Sequence, residues 1–181
     1  DVPLDAIAAG LRSLADVPGR LQRVACGLRG EVFVDYAHTD DALQNVLSVL
    51  KPLTRGRLIV VFGCGGDRDR TKRPRMATVA ARFADAIVIT SDNPRTEDPQ
   101  SIIREILTGF KPEERRRVMI EPDRRAAIGC AISTLQAGDV LLIAGKGHEN
   151  YQVVGRERTP FDDVEVAQKA ASARHPTGSD E

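Results

Sequence analysis

The chain carries no excess charge and no long apolar run, and each absence excludes a class of protein. Its 26 Lys and Arg residues balance 26 Asp and Glu residues, so bulk charge gives no reason to expect binding to nucleic acid or to an anionic membrane. No apolar run approaches the roughly 20 residues that span a bilayer. Nothing near the first residues has the basic and then apolar pattern of a secretion signal. A globular domain remains, for which 181 residues and 41% hydrophobic content suffice.

Cysteines are also scarce. The three that occur, Cys26, Cys64 and Cys130, are isolated and odd in number. That count does not suit a disulfide framework, and their spacing does not suit a zinc site. The pattern is typical of a protein from a reducing compartment, so we expect a cytoplasmic protein without a structural metal.

Strands and helices alternate along the chain. A continuous apolar run at 58–62 is typical of a strand that is covered on both faces. Helical apolar stripes separate the successive runs, which predicts right-handed βαβ units. The predicted strands lie at 20–25, 31–35, 58–62, 86–90, 118–120 and 140–143, followed by a hairpin of 151–154 with 158–161 around Gly155 and a helix at 163–173. This order predicts an α/β domain with a mostly parallel sheet of about six strands and helices on both faces.

The two ends of the chain differ from this pattern. A helix is predicted over 1–15 and is broken by the residues up to Gly19, so residues 1–18 are interpreted as the end of a preceding domain and its linker. The main domain is predicted over 19–174. The composition of 175–181 predicts a disordered tail. The chain begins at Asp1 and not at Met, which is compatible with a processed or truncated chain.

Four of the apolar runs end in strongly polar loops. Because the carboxyl ends of parallel strands meet at one edge of a sheet, the four loops are predicted to form one binding edge. They are Asp35-Tyr36-Ala37-His38-Thr39, residues 63–70, Thr90 to Asp98, and Gly145-Lys146-Gly147-His148-Glu149.

The loop Asp92-Asn93-Pro94-Arg95 offers an acceptor, an amide and a forked cation on a backbone that Pro94 stiffens. Arg68 adds a second cation and Glu149 a second anion. Two cations and two anions at one edge are what a zwitterionic amino acid requires. Two alternatives remain open: a polar turn that caps the next helix, and a solvated network in which these charges pair with one another.

The glycines at Gly63, Gly65 and Gly66 permit backbone amides to converge on an anion, but they match neither a Walker A sequence nor G-x-G-x-x-G. A tight strand-to-helix turn is the alternative interpretation. His38 is either a helix-start residue or a ring near a nucleotide.

The four loops together resemble the C-terminal domain of the Mur ligases, from about Gly19 to the helix that ends near Ala173. The motifs that carry the resemblance are Asp35 to Thr39, Phe62 to Asp69, Asp92-Asn93-Pro94-Arg95 and Gly145 to Glu149. The resemblance implies a Rossmann-like, three-layer domain of a three-domain enzyme of the bacterial cytoplasm. It implies that ATP, with Mg²⁺, phosphorylates a carboxylate in a central P-loop domain, and that the amine of an incoming amino acid then attacks.

The resemblance also implies residue roles. In members that add meso-diaminopimelate to UDP-N-acetylmuramoyl-L-alanyl-D-glutamate, the D-N-P-R motif recognises the amino acid. The implied amino-acid contacts are Arg68, Asp92, Asn93, Pro94, Arg95, Gly145 and Glu149, and the weaker implied ATP contacts are Arg20, Asp35 and His38. No catalytic residue and no metal ligand is expected in this chain, since ATP and Mg²⁺ are expected to bind mainly through the central domain.

The chain departs from the family pattern at Asp40, where Pro is common, and at Gln22, where Glu is common. It also contains no P-loop, so the piece alone is expected to be inactive. Two other interpretations stay open: a free-standing nucleotide-binding module without catalysis, and the relative that adds L-lysine, whose members usually lack the arginine of the D-N-P-R motif.

Overall fold

The structure is a computed structural model that describes residues 2–13 and 17–174. The predicted tail at 175–181 and the predicted end of the first helix at residues 14 and 15 lie outside the described residues. No helix in the described part combines the length and apolarity needed to cross a bilayer.

Eight strands and six α-helices form the described part of the chain. The strands are β1 Gln22–Arg23, β2 Glu31–Asp35, β3 Leu58–Phe62, β4 Ala86–Ile89, β5 Val118–Ile120, β6 Val140–Ala144, β7 Tyr151–Val154 and β8 Glu157–Pro160. The helices are α1 Leu4–Ser13, α2 Asp40–Leu50, α3 Lys72–Phe83, α4 Pro99–Leu107, α5 Arg124–Ser133 and α6 Asp163–Arg174. Short 3₁₀ turns, which the pattern did not predict, lie at Lys51–Leu53 and Arg115–Arg117.

The main sheet has six strands in the order β1-β2-β6-β3-β4-β5. All its pairs are parallel except β1 with β2 at the edge. Strand β6 lies between β2 and β3, so the chain runs one way from β2 to β5 and then returns. Since right-handed crossovers in opposite directions lie on opposite faces, α2, α3 and α4 cover one face and α5 and α6 cover the other. The predicted α/β class, with a mostly parallel sheet and helices on both faces, is confirmed.

Alternate residues of the central strands form two separate cores. Val60 and Phe62 pack with α2–α4, whereas Ile59 and Val61 pack with α5 and α6. All residues of β3 are buried, as its continuous apolar run predicted, and all residues of β6 are buried as well. Burying one such side chain contributes about 1.5–3 kcal/mol, so the two cores fix the strands and hence the loops at their ends.

Several predicted boundaries differ by a residue or more from the observed ones. The strand predicted at 20–25 pairs only at Gln22–Arg23, because Leu21 before it is left-handed at φ 43° and Gly27 after it turns the chain at φ 62°. Strand β8 begins one residue earlier than predicted, at Glu157. Helix α1 begins at Leu4 after Pro3, and its predicted apolar stripe is exposed at Leu4 and Ile7.

Candidate functional site

A cleft of about 390 Å³ lies at the carboxyl edge of the sheet, where β2, β3, β4 and β6 end. The predicted meeting of the four polar loops is therefore confirmed. The cleft is lined by Tyr36, His38, Thr39, Gly65, Arg68, Asp69, Lys72, Asp92, Asn93, Arg95, Gly145, Glu149 and Tyr151. Of the predicted amino-acid contacts only Pro94 is missing from this lining, and it is buried behind the loop.

Arg68 and Arg95 present guanidinium groups without carboxylate partners. Nη1 of Arg95 donates to Gly66 O at 2.9 Å, and Nη1 of Arg68 donates to Asp67 O at 2.9 Å. Within residues 2–13 and 17–174, neither arginine belongs to any ion pair shorter than 4.0 Å. The alternative in which the four charges of the site pair with one another therefore does not hold, and both cations are available for a ligand carboxylate.

The two carboxylates of the site have other partners. Oε2 of Glu149 accepts a hydrogen bond of 3.0 Å from Nδ2 of Asn93. Oδ1 of Asp92 lies 3.3 Å from Nζ of Lys146, an ion-pair distance without hydrogen-bond geometry. In the described residues that buried oxygen has no hydrogen-bond partner, although Asp92 is only 8% exposed. Its nearest charged neighbour is the Lys146 ammonium, so this buried oxygen is the counterion of Lys146 and does not face the cleft.

Lys146 lies beneath the cleft floor, in contact with Asn93 of the lining. Lys146 is fully buried, and its Nζ donates to Asn93 Oδ1 and to Tyr151 O, both at 2.9 Å. Oδ1 of Asn93 also accepts from Val153 N at 2.9 Å. Burial lowers the pKa of Lys146, while the nearby Asp92 carboxylate opposes that shift. The sequence placed Lys146 in one of the four polar loops without assigning it a role, and the structure buries it against the D-N-P-R loop and the start of β7.

The β7–β8 hairpin holds the D-N-P-R loop in place. Arg95 N donates to Val153 O at 3.1 Å, and Gly155 N donates to Arg95 O at 2.7 Å. Arg95 is thereby held at φ 51°, a left-handed conformation that is uncommon for a residue with a side chain. Gln152 Nε2 adds a bond of 2.8 Å to Asp92 O. The hairpin was predicted as an element, but nothing in its sequence indicated that it contacts this loop.

The glycine loop is shaped by close packing against the D-N-P-R loop. A Cβ at Gly63 would lie 2.2 Å from Thr90 O, and one at Gly66 would lie 1.9 Å from Pro94 O. Gly66 N already donates to Asn93 O at 2.9 Å, so that amide is not free for an anion. These contacts support the tight-turn interpretation over a phosphate loop.

Arg73, which is fully buried, makes a second connection between the glycine loop and the stretch that follows the D-N-P-R loop. Its guanidinium donates to both oxygens of Glu97 at 2.8 and 2.9 Å and to Glu105 at 2.8 Å. The hydrogen bond from Arg73 lowers the pKa of Glu97 to about 2. Asp98 accepts from Gln100 N and Ser101 N and so caps α4. The helix-capping interpretation of this stretch is therefore right for Asp98, whereas Asp92, Asn93 and Arg95 lie in the cleft.

The three residues that were predicted to contact ATP lie in different environments. Both oxygens of Asp35 accept backbone amides, from Leu21 at 2.6 Å and from Ala37 at 2.8 Å, so this carboxylate holds the chain that precedes β1. His38 is half-buried at the cleft, and its Nδ1 donates to Tyr36 O at 2.9 Å. Arg20 is exposed and lies 5.0 Å from the Tyr36 ring centre. Only His38 of the three lines the cleft.

Cys64, although it lies in the glycine loop, is 2% exposed and packs into the core beside Met76. Burial raises the pKa of its thiol to about 12, which makes it unreactive. All three cysteines are free thiols. In the described part of the chain no three His, Cys, Asp or Glu side chains converge into a potential metal site.

Sequence reasoning missed a fully buried ion pair beside the cleft. Arg124 at the start of α5 donates to Asp163 at the start of α6 at 2.8 and 2.7 Å. It also donates to Ala144 O at the end of β6 at 3.0 Å. Arg124 and Asp163 each stand at the beginning of a helix, where charged residues are common. No local signal in the sequence therefore marks them as buried partners.

The protein-family model described as "Mur ligase, glutamate ligase domain" matches residues 19–147 of the chain. Among curated proteins, the chain is 51% identical over 175 residues to the UDP-N-acetylmuramoyl-L-alanyl-D-glutamate–2,6-diaminopimelate ligase of Thermosynechococcus vestitus. It is 50% identical over 171 residues to the ligase of that name from Geobacillus kaustophilus. The alignments cover 96% and 94% of this chain but only 35% of each relative, so the chain spans about a third of their length.

Solved structures of other proteins also superpose on this chain. A structure of a ligase of that name superposes with a TM-score of 0.83 at 44% identity, covering 96% of this chain and 35% of the other. Escherichia coli FolC in complex with ADP superposes with a TM-score of 0.63 at 21% identity, covering 97% of this chain and 36% of the other. The second likeness concerns the fold alone.

Proposed function

Because this chain belongs to the Mur ligase family, we propose that it is the amino-acid-binding domain of an ATP-dependent ligase that adds meso-diaminopimelate to UDP-N-acetylmuramoyl-L-alanyl-D-glutamate in peptidoglycan biosynthesis. The names of relatives about 50% identical to it support this substrate. The relatives are about three times as long, which supports further domains that bind the nucleotide-linked dipeptide and ATP. In this proposal residues 1–18 belong to the preceding ATPase domain, and the exposed Leu4 and Ile7 are consistent with a contact there.

One observation carries the proposal: the cleft joins two guanidinium groups that lack carboxylate partners to two carboxylates. Arg68 and Arg95 each suit a ligand carboxylate, which they can grip with two hydrogen bonds. Asp92 lines the cleft, and Glu149 has a second oxygen beyond its bond to Asn93. These carboxylates suit ammonium groups. A diamino dicarboxylate such as diaminopimelate presents two groups of each kind.

Arg95 favours diaminopimelate over lysine because only diaminopimelate has a second carboxylate for a second guanidinium group. Lysine lacks the distal carboxylate, so a lysine in this cleft would leave one guanidinium desolvated without a counterion. Sites built around a polar partner reject an analogue that lacks it by factors on the order of 10⁴ or more. The guanidinium of Arg95 is held by Gly66 O and its backbone by the hairpin, so it cannot retract easily from the cleft.

The role of this chain toward ATP is smaller. When bound in the complete enzyme, ATP with Mg²⁺ supplies the phosphoryl group that activates the carboxylate of the acceptor dipeptide. The half-buried ring of His38 and the Arg20–Tyr36 pair fit a nucleotide at the rim of the cleft. Asp35 fits an ATP contact less well, since both of its oxygens already bind backbone amides. The chain's own residues therefore bind and orient the amino acid, and we assign them no catalytic step.

The decisive experiment uses the full-length enzyme that contains this chain, with turnover followed as ADP release. We expect turnover with meso-diaminopimelate and none with L-lysine. The Arg95→Ala enzyme should show a KM for diaminopimelate raised by on the order of a hundredfold, with the KM for ATP nearly unchanged. Arg116→Ala, at an exposed arginine outside the cleft, is the matched control. Equal loss for both substrates, or comparable use of lysine, would contradict the proposal.

The 181-residue chain alone should neither hydrolyse ATP nor form the amide bond. The proposed ATPase domain supplies the phosphoryl chemistry, and the chain contains no P-loop sequence. Incubation of the purified chain with all substrates, followed by chromatography of the products, tests this. Detectable ligase turnover would refute the division of roles.

A further inference from the structure

Lys146 lies outside the cleft lining, yet it contacts two segments that form the cleft and belongs to a third, the loop after β6. It is fully buried, which is rare for lysine unless the ammonium is paired. Its Nζ donates to Asn93 Oδ1 in the D-N-P-R loop and to Tyr151 O at the start of the hairpin. Asp92 Oδ1 lies 3.3 Å away as counterion. Acceptors thus surround the ammonium, which fits its protonated form.

The contacts of the Asn93 side-chain amide allow it only one orientation. An amide side chain has one acceptor oxygen and one donor nitrogen, and both ends of Asn93 are occupied by partners of fixed character. Oδ1 receives Lys146 Nζ and Val153 N, each at 2.9 Å, so a rotated amide would set Nδ2 against two donors. Nδ2 must therefore point to Glu149, where it donates at 3.0 Å and keeps one N–H for the cleft.

We propose that Lys146 is a positioning residue for the amino-acid substrate. Its ammonium locks the Asn93 amide with the nitrogen toward Glu149, and it holds the D-N-P-R loop, the loop after β6 and the hairpin in one arrangement. The proposal rests on the proposed function, since the substrate is taken to be an amino acid with a second carboxylate. Lys146 touches Asn93 and Asp92 and leaves the ligand contacts to them.

The test is a double-mutant cycle in the full-length enzyme with Lys146→Met, which retains the length of the side chain and removes its donors. We expect the KM for diaminopimelate to rise on the order of tenfold, with the KM for ATP unchanged within about twofold. Lys146→Met should raise the KM less in the Asn93→Ala background than in the wild type, because part of its effect acts through the Asn93 amide. Lys111→Met, at an exposed lysine, is the matched control.

An unchanged KM for diaminopimelate, or effects that multiply in the double variant, would overturn the proposal. If Lys146→Met does not fold, Lys146→Gln serves in its place, because its amide still donates to Asn93 Oδ1 while the charge is lost. It should then raise the KM less than Asn93→Ala does, and a larger rise would count against the role.

Failure of the proposed function appears separately, as a wild-type enzyme that diaminopimelate does not stimulate. In that case the crystal structure of the Lys146 variant decides the inference. Loss of the contact between Asn93 Nδ2 and Glu149 Oε2 supports the positioning role. An unchanged amide at hydrogen-bond distance refutes it.

Discussion

The side-chain amide of Asn93 donates a hydrogen bond of 3.0 Å to Oε2 of Glu149, 56 positions further along the chain. The bond joins the loop after β4 to the loop after β6, although β3 lies between these strands in the sheet. It leaves the other oxygen of Glu149 open to the cleft. Two loops that are distant in sequence therefore present one set of donors and acceptors.

This geometry predicts that the charge of Glu149 matters more for binding than for folding. In Glu149→Gln the amide oxygen can still accept from Asn93, but the negative charge is gone. We expect the KM for diaminopimelate to rise about tenfold, as for loss of one charged hydrogen bond. The free energy of unfolding should change by less than about 0.5 kcal/mol. Steady-state kinetics and urea denaturation measure the two quantities, with the exposed Glu113→Gln as control. A large stability loss with normal KM would contradict this division.

Gly66 is predicted to be irreplaceable because of its close approach to the D-N-P-R loop. A Cβ there would lie 1.9 Å from Pro94 O, and backbone cannot move aside as a side-chain end can. Gly66→Ala should lower the free energy of unfolding by about 1–3 kcal/mol, as overpacking does. Gly129→Ala is the matched control, because it lies within α5 with no atom near the added Cβ and should stabilise by about 1 kcal/mol. Urea denaturation of both variants tests the pair, and equal signs would refute the reasoning.

The low pKa of Glu97 predicts that the folded protein loses stability in acid. Its folded-state pKa is about 2, chiefly because Arg73 donates to it, against an ordinary value of 4.5. A lowered pKa contributes stability that is complete above about pH 4.5 and disappears as the pH falls toward 2. With the carboxylate 22% exposed, we expect a contribution of roughly 1–2 kcal/mol after solvent screening.

The measurement for Glu97 compares Glu97→Gln with wild type by chemical denaturation between pH 7 and pH 3. The difference in unfolding free energy should be largest near pH 7 and should shrink below pH 4.5. A difference that is constant with pH would show that the carboxylate charge is not responsible.

The buried pair of Arg124 and Asp163 predicts a strong asymmetry between single and double substitutions. Asp163→Asn alone leaves a guanidinium with no exposure and no counterion, and should cost about 3–5 kcal/mol of stability. Replacing both partners, with Arg124→Met and Asp163→Leu, should cost less than the sum of the single changes. Lys169→Met removes an exposed pair with Glu165 and should cost less than about 0.5 kcal/mol. Thermal and urea unfolding of these variants and of the single variants Arg124→Met and Asp163→Leu provide the test, and additive losses would contradict it.

Much of the architecture was predictable, because it depends on local apolar patterns. The continuous run of β3 predicted a strand that is buried on both faces, and the alternation with helices predicted a mainly parallel sheet. Parallel strands send their carboxyl ends to one edge, so the meeting of the four polar loops followed from the same patterns. The caps at Asp123 and Asp162 were likewise local, since each side chain accepts from amides two or three residues ahead.

The missed features all depend on which charges become buried. Nothing in the sequence around Arg73, Arg124 or Lys146 distinguishes them from exposed cations, yet all three are at most 1% exposed. The side chains that accept hydrogen bonds from them lie 24 to 53 residues away. A charged side chain can be buried only where distant acceptors meet it, and this is decided by tertiary packing.

By itself, the sequence determined the class of fold, the edge at which the polar loops collect and the residue types offered there, because periodicity and loop chemistry are local properties. Only the tertiary structure decided that Arg68 and Arg95 stay free of carboxylates while Asp92 and Glu149 turn to Lys146 and Asn93. It also placed the hairpin behind Arg95 and held that residue at φ 51°. The physical reason is that ion pairing and hydrogen bonding in a folded protein depend on distances of about 3 Å between groups far apart in the chain.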